Sequence, residues 1–112
     1  MHYKVKLTNY AVEQLQEIDR YIAHSLVSPD VASHWMQHLK SELASLDSMP
    51  NRHPLTEEEP WHTERIRKMV VKNFLVYYWV KEEDKTVWIA AIIYGRRDQT
   101  LELRKMPVDF IH

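Results

Sequence analysis

Seven consecutive residues, Phe74-Leu75-Val76-Tyr77-Tyr78-Trp79-Val80, are all apolar or aromatic. A strand sends alternate side chains to opposite faces, so a β-strand made from this run is apolar on both. It predicts a central strand, covered by helices on one face and by something else on the other. A chain of 112 residues has room for one core, so residues 1–112 read as a single domain. Apolar residues make up 45% of it and charged residues 28%, enough for a real core and unlike a disordered chain.

The remaining elements are read from changes of period. Tyr3-Lys4-Val5-Lys6-Leu7 alternates apolar and basic residues, which predicts a strand with Tyr3, Val5 and Leu7 on its inner face. From Thr8 onward Ala11, Leu15, Ile18 and Ile22 recur at helical spacing. Ser28-Pro29-Asp30 is a second helix start: Ser28 can cap, Pro29 needs no amide partner, and Asp30 faces the positive helix end. The apolar positions Ala32, Trp35, Leu39, Leu43 and Leu46 carry that helix to Pro50, giving a helical hairpin. Asn51 to Thr63, with Pro54, Pro60 and Glu57-Glu58-Glu59, has no sustained period and reads as an exposed loop. Arg65–Val71, Phe74–Val80 and Thr86–Tyr94 read as strands, broken at Lys72-Asn73 and at Glu82-Glu83-Asp84-Lys85. Gly95, the one glycine, ends the last strand. The fold class is therefore α+β: an N-terminal strand, a helical hairpin, then a three-stranded antiparallel meander, together one four-stranded, mainly antiparallel sheet.

The formal net charge of -1 argues against coating nucleic acid by bulk electrostatics. Charge is nevertheless segregated. Residues 1–60 are net acidic, whereas residues 61–81 hold Arg65, Arg67, Lys68, Lys72 and Lys81 against Glu64 alone. Arg65 and Arg67 lie two apart in a predicted strand, hence on one face, and Arg96 and Arg97 leave the end of another. Converging guanidinium groups would form an anion pocket, because arginine stays charged and recognises phosphate with planar, multiple donors. Lys68, Lys72 and Arg96 would add phosphate contacts. The plain alternative is a solvated face, or pairing with Glu57, Glu58, Glu59 and Glu102.

Other chemistries are less well supported. There is no cysteine, so no disulfide framework, thiolate nucleophile or cysteine zinc site. His34 and His38 share a helix face, but no third ligand is evident, and neither a metal nor a small-molecule cofactor is predicted. Tyr77, Tyr78, Trp79, Trp88 and Tyr94 read as core rather than base-stacking groups. Trp61 reads as docking back onto the sheet, with His62 beside it. Ser25, Ser28, Ser41, Ser45 and Ser48 lack a nucleophile-elbow context. The amino terminus lacks the hydrophobic centre of a signal peptide, and no apolar run is long enough to span a bilayer, so a soluble cytoplasmic protein is expected.

Taken in order, Tyr3 to Thr8, Leu15, Ile18, Tyr21-Ile22, Leu46 to Pro50, Arg65-Ile66-Arg67, Phe74 to Tyr78 and Ile93-Tyr94-Gly95-Arg96-Arg97-Asp98 resemble the RelE/ParE superfamily of bacterial toxins. The resemblance covers about residues 3–98. It implies the toxin half of a type II toxin-antitoxin, or plasmid stabilisation, module, held by a cognate antitoxin whose acidic tail suits the basic sheet half. RelE-like members cleave messenger RNA in the ribosome by attack of a 2'-hydroxyl on the adjacent phosphate, which needs a base, an acid and cations. On that branch Arg65, Arg67 and Arg97 would be the catalytic cations of an mRNA endoribonuclease. The set is incomplete: Phe74 stands where the branch has an arginine, and Leu103 where it has an aromatic residue. A base would have to come from Lys68, Glu64 or His62. ParE-like members instead bind DNA gyrase without a known hydrolytic centre. A third reading is a degenerate, non-toxic antitoxin-binding module.

Overall fold

Thr8 joins strand to helix. It follows β1 (Lys4–Leu7) and precedes α1 (Asn9–Ser25) in a computed structural model that describes residues 2–25, 29–72 and 74–94. Its hydroxyl accepts the Ala11 amide at 3.1 Å and donates to the Ala90 carbonyl at 3.2 Å, so one side chain caps the helix and ties it to the sheet. The hairpin's second helix, α2 (Pro29–Ala44), opens on the expected proline. It ends sooner than the periodicity predicts. A 3-10 turn, Ser45–Asp47, takes over and carries Leu46 into the core. The Arg52 guanidinium secures the turn that follows: it donates to the Ser48 carbonyl at 2.6 Å, the Met49 carbonyl at 3.2 Å and the Ser45 hydroxyl at 2.9 Å, satisfying acceptors that no helix continues to pair.

The sheet adds β2 (Arg67–Val71), β3 (Phe74–Lys81) and β4 (Thr86–Tyr94) in the order β1-β4-β3-β2. The meander is antiparallel as expected, and β1 runs parallel to β4 with Lys4 opposite Thr86 and Leu7 opposite Ile89. Tyr78 sits opposite Ile89 and Tyr77 opposite Ala91, so Ala90 is an extra residue in β4, a β-bulge. Because β1 stops at Leu7, the Ile92 amide finds no strand beside it. Gln14 of α1 supplies the missing acceptor, its buried side-chain oxygen lying 2.7 Å from that nitrogen.

The doubly apolar β3 is covered on both faces. On one face Phe74, Val76 and Tyr78 pack with Ala11 and Ile18 of α1 and Met36, Leu39 and Leu43 of α2. On the other, Leu75 and Tyr77 pack with Ala90, Ala91, Ile93, Ile66 and Trp61. The second cover is the segment read as an exposed loop, which corrects that expectation. Trp61 retains 5% exposure and Thr56 1%. The segment is held by backbone hydrogen bonds rather than by a repeating pattern: His62 to Glu58, Glu64 to Pro60, Ile66 to Trp61, Thr56 to Ile66 and Lys68 to Pro54. Such turn-by-turn satisfaction leaves no periodicity to read. Among the described residues no helix is long and apolar enough to cross a membrane.

Candidate functional site

The predicted strand from Arg65 begins two residues later, at Arg67, and the backbone states why. Arg65 has φ 64°, a left-handed conformation that no strand accommodates. Its amide bonds back to the His62 carbonyl at 3.0 Å, closing the turn that brings the covering segment into the sheet. The period-two argument for a shared face therefore fails, yet the two arginines still meet. Arg65, Arg67, Asn51, Trp79, Val80 and Glu82 line one cavity of about 160 Å³.

The cavity is a notch in the sheet. Arg67, the first residue of β2, pairs with Tyr78, so Trp79, Val80 and Lys81 of β3 continue with no strand on that side. The Lys68 amide bonds outward, to the Pro54 carbonyl at 3.0 Å, which fixes the parity of β2: Arg67, Met69 and Val71 address β3. The same alternation turns the backbone of Phe74, Val76, Tyr78 and then Val80 toward the β2 side. Among the described residues the Val80 amide and carbonyl have no backbone partner there.

The charged groups around the notch are held differently. Arg67 donates through Nη1 to the His53 carbonyl at 2.6 Å, which secures its guanidinium to the covering segment. Arg65 is exposed. Glu82 accepts from Lys85 Nζ at 2.9 Å, from Asn51 Nδ2 at 3.3 Å and from the Tyr3 hydroxyl at 3.1 Å, and those bonds hold its carboxyl below the usual carboxylate range. His53 lies beside Arg67, with its ring edge-on to Tyr78 at 6.3 Å. Burial, then the Arg52 charge, pushes its imidazole below the ordinary histidine value.

The other predicted phosphate contacts do not join this pair. Lys68 leaves the opposite face of β2, 3.5 Å from Glu58 and 5.8 Å from the Tyr77 ring, so one of the anticipated glutamates does take a lysine. It borders an open groove of about 700 Å³ with His53, Pro54, Leu55 and Val70. Lys72, also left-handed at φ 52°, lies past the far end of β2 and sits over the Trp35 ring at 5.5 Å. Arg96, Arg97 and the tail beyond fall outside the described residues. The last described residue of β4, Tyr94, is opposite Phe74, at the end of the sheet remote from Arg67. Phe74 itself is buried, edge-on to Trp35 at 6.1 Å. His34 and His38 stay on α2, and among the described residues no group of three metal-ligating side chains forms.

Asn51, Val80 and Glu82 were absent from the sequence reading of the site, and Trp79 was assigned to the core. Asn51 and Glu82 sit in turns with nothing to set them apart. Val80 contributes its backbone, to which side-chain chemistry gives no clue.

Residues 5–99 match the family model described as the ParE toxin of the type II toxin-antitoxin system parDE. No curated protein matches the sequence significantly. Among solved structures, the fold is similar to the chromosomal ParDE toxin-antitoxin system from P. aeruginosa, at 22% identity over 83% of this chain and 96% of that one, with a TM-score of 0.63. It is similar to the RelBE2 toxin-antitoxin complex from Mycobacterium tuberculosis, at 18% identity over 84% and 92% of the two chains, TM-score 0.58. A substituted E. coli RelE toxin in the free state aligns over the whole of both chains at 15% identity and TM-score 0.61. At these identities the likeness is one of fold.

Proposed function

The chain belongs to the ParE toxin family of type II toxin-antitoxin systems, and from that premise we propose that it arrests growth by binding DNA gyrase rather than by cutting RNA, and that a cognate antitoxin neutralises it. The burial of Phe74 carries the choice between targets. In the RNA-cleaving branch an arginine at that position steadies charge on the reacting phosphate. Here the position is occupied by a ring at 2% exposure, packed on Trp35 and unable to offer charge to a substrate. Acid-base chemistry is thin as well. Glu82, the carboxylate lining the notch, is made a weaker base by the three donors it already accepts. His62 turns Nδ1 to the Thr56 carbonyl at 2.9 Å, and neither it, Glu64 nor Lys68 lines the notch.

The reading that retains RNA cleavage rests on Arg65 and Arg67 sharing a cavity, a place where two cations meet a phosphate. One experiment separates the two. The chain is induced alone in bacteria, and gyrase-DNA cleavage complexes and primer-extension stops are measured together. Growth arrest with trapped cleavage complexes and intact transcripts is the expected result. Cuts in translated messages that disappear with Arg97→Ala would overturn the gyrase reading, and unimpeded growth at verified expression would point to the degenerate module.

A further inference from the structure

We propose that the bare end of the sheet's second face, where Trp79 and Trp88 stand side by side next to Lys4 and Lys6, is a stacking platform for single-stranded DNA. The choice of DNA over RNA rests on the gyrase reading; the platform itself does not. Strand register builds it. Trp79 of β3 is directly opposite Trp88 of β4, which in turn is opposite Lys6 of β1. Residues opposite one another share a face, so the row Lys6-Trp88-Trp79 crosses three strands on one side of the sheet. Trp79 packs with Tyr77 and Ala90, which fixes that side as the one turned away from the helices. Lys4, two residues before Lys6 on the same strand, joins it.

The covering segment reaches only part of this face. Trp61 lies with Tyr77, Ala90 and Ala91, Trp79 borders that cluster, and Trp88 belongs to neither core cluster among the described residues. Tyr77 and Tyr78 are wholly buried, as core aromatics should be, but both indoles of the row keep partial exposure, and Lys4 and Lys6 are exposed. Lys6 Nζ sits 5.7 Å from the centre of the Trp88 ring. Among the described residues neither Lys4 nor Lys6 has a carboxylate partner, whereas Glu82 and Asp84 of the adjoining turn are held by Lys85 and Lys81. Arg65, exposed and lining the same notch as Trp79, places another cation at the far end of the row. Adjacent rings with cations at both ends suit a strand whose bases stack on the indoles while the lysines follow its phosphates. A duplex conceals its base faces within its own stack, and an acidic peptide brings charge without a planar ring.

The test uses the full chain with 5-fluorotryptophan in place of its tryptophans, and a short oligothymidylate. Expected is saturable binding that shifts the fluorine signals of Trp79 and Trp88 and leaves those of Trp35 and Trp61 in place. Trp88→Leu should weaken binding about fivefold or more, and Trp88→Phe, which keeps a ring, should restore it to within about twofold. Replacing both exposed lysines, Lys4→Gln with Lys6→Gln, tests the same surface without touching the core, and should flatten the log-log salt dependence of binding by about 1.4. A duplex of equal length should bind about tenfold more weakly. An unmoved Trp88 signal, a salt dependence unchanged by the lysine substitutions, or equal binding of the duplex would each overturn the proposal. A shift of Trp79 alone would overturn it by placing the strand in the arginine notch. So would a Trp88 signal moved as strongly by phosphatidylglycerol vesicles or by oligoglutamate, and a tenfold preference for oligouridylate would overturn the assignment to DNA. Gyrase cleavage complexes in cells are read separately, so failure of the gyrase reading and failure of the platform give different results.

Discussion

Tyr77 and Tyr78 are neighbours in sequence, both fully buried, and they face opposite layers of the molecule. Burial pushes the Tyr78 phenol up to about 12, only partly countered by Arg67 and Arg52, and pushes Tyr77 higher still with the help of Glu58. Both stay neutral in the folded chain while their counterparts in the unfolded chain ionise near pH 10. Their contribution to stability is therefore complete below pH 10 and is lost as pH rises toward 12. Absorbance at 295 nm during alkaline titration should show these two phenols ionising only together with loss of the near-ultraviolet circular dichroism. Tyr78 also donates to the Pro50 carbonyl at 2.5 Å. Tyr78→Phe leaves that carbonyl buried and unpaired, with an expected loss of about 1–3 kcal/mol in urea unfolding. On the acid side His53 works in reverse. Its lowered value means the unfolded chain takes up a proton first, so stability falls as pH drops below 6.5.

At the scale of elements, the segment from Asn51 to Ile66 is a second layer without being a regular element. The indole of Trp61 is the main apolar group it lays on Tyr77, Ala90 and Ala91, and the two alanines leave room for it. Trp61→Ala should cost about 3–5 kcal/mol, read as a shift in the urea midpoint; a change under about 1 kcal/mol would mean the segment is not a structural cover. Beside the Thr8 hydroxyl and the apolar packing, one carboxamide ties α1 to β4. Gln14→Met preserves the length of the side chain but orphans the Ile92 amide, and should lower stability by about 1–3 kcal/mol with faster hydrogen exchange at Ile92. The Arg65-Arg67 pair belongs to this scale too. Its proximity comes from a left-handed turn and a short β2, which no strand periodicity contains.

Across the whole molecule, two strands far apart in the chain, β1 and β4, are bound together. β1 lies against β4, with about eighty residues between partners, as in the Thr8 to Ala90 contact at a separation of 82. Closing so long a loop costs chain entropy that only the finished pairing offsets. Removing residues 1–7 would uncover the edge of β4 and remove the apolar inner side chains of Tyr3, Val5 and Leu7. The expected outcome is a chain that elutes as soluble aggregate in gel filtration, with its thermal transition broadened or lost. A monomer with an unchanged transition would falsify that role for β1. Charge is arranged on the same scale, acidic on the helical hairpin and basic on residues 61–81, which suits an acidic partner on the sheet half.

The amino-acid sequence alone determined the strand, the hairpin and the meander, because burial on one or two faces imposes periods of 3.6 and 2 that survive in the order of residues. Phe74 to Val80 required two covers, and Ala11, Leu15 and Ile18 announced the first. The second cover, the parallel pairing of β1 with β4 and the notch at Val80 were decided only in three dimensions. They depend on where a helix gives way to the turn that Arg52 secures, where a turn is taken at Arg65 and which backbone groups then lack a neighbour. Those outcomes are set by contacts between distant residues and by main-chain hydrogen bonds, and neither leaves a repeating mark along the chain.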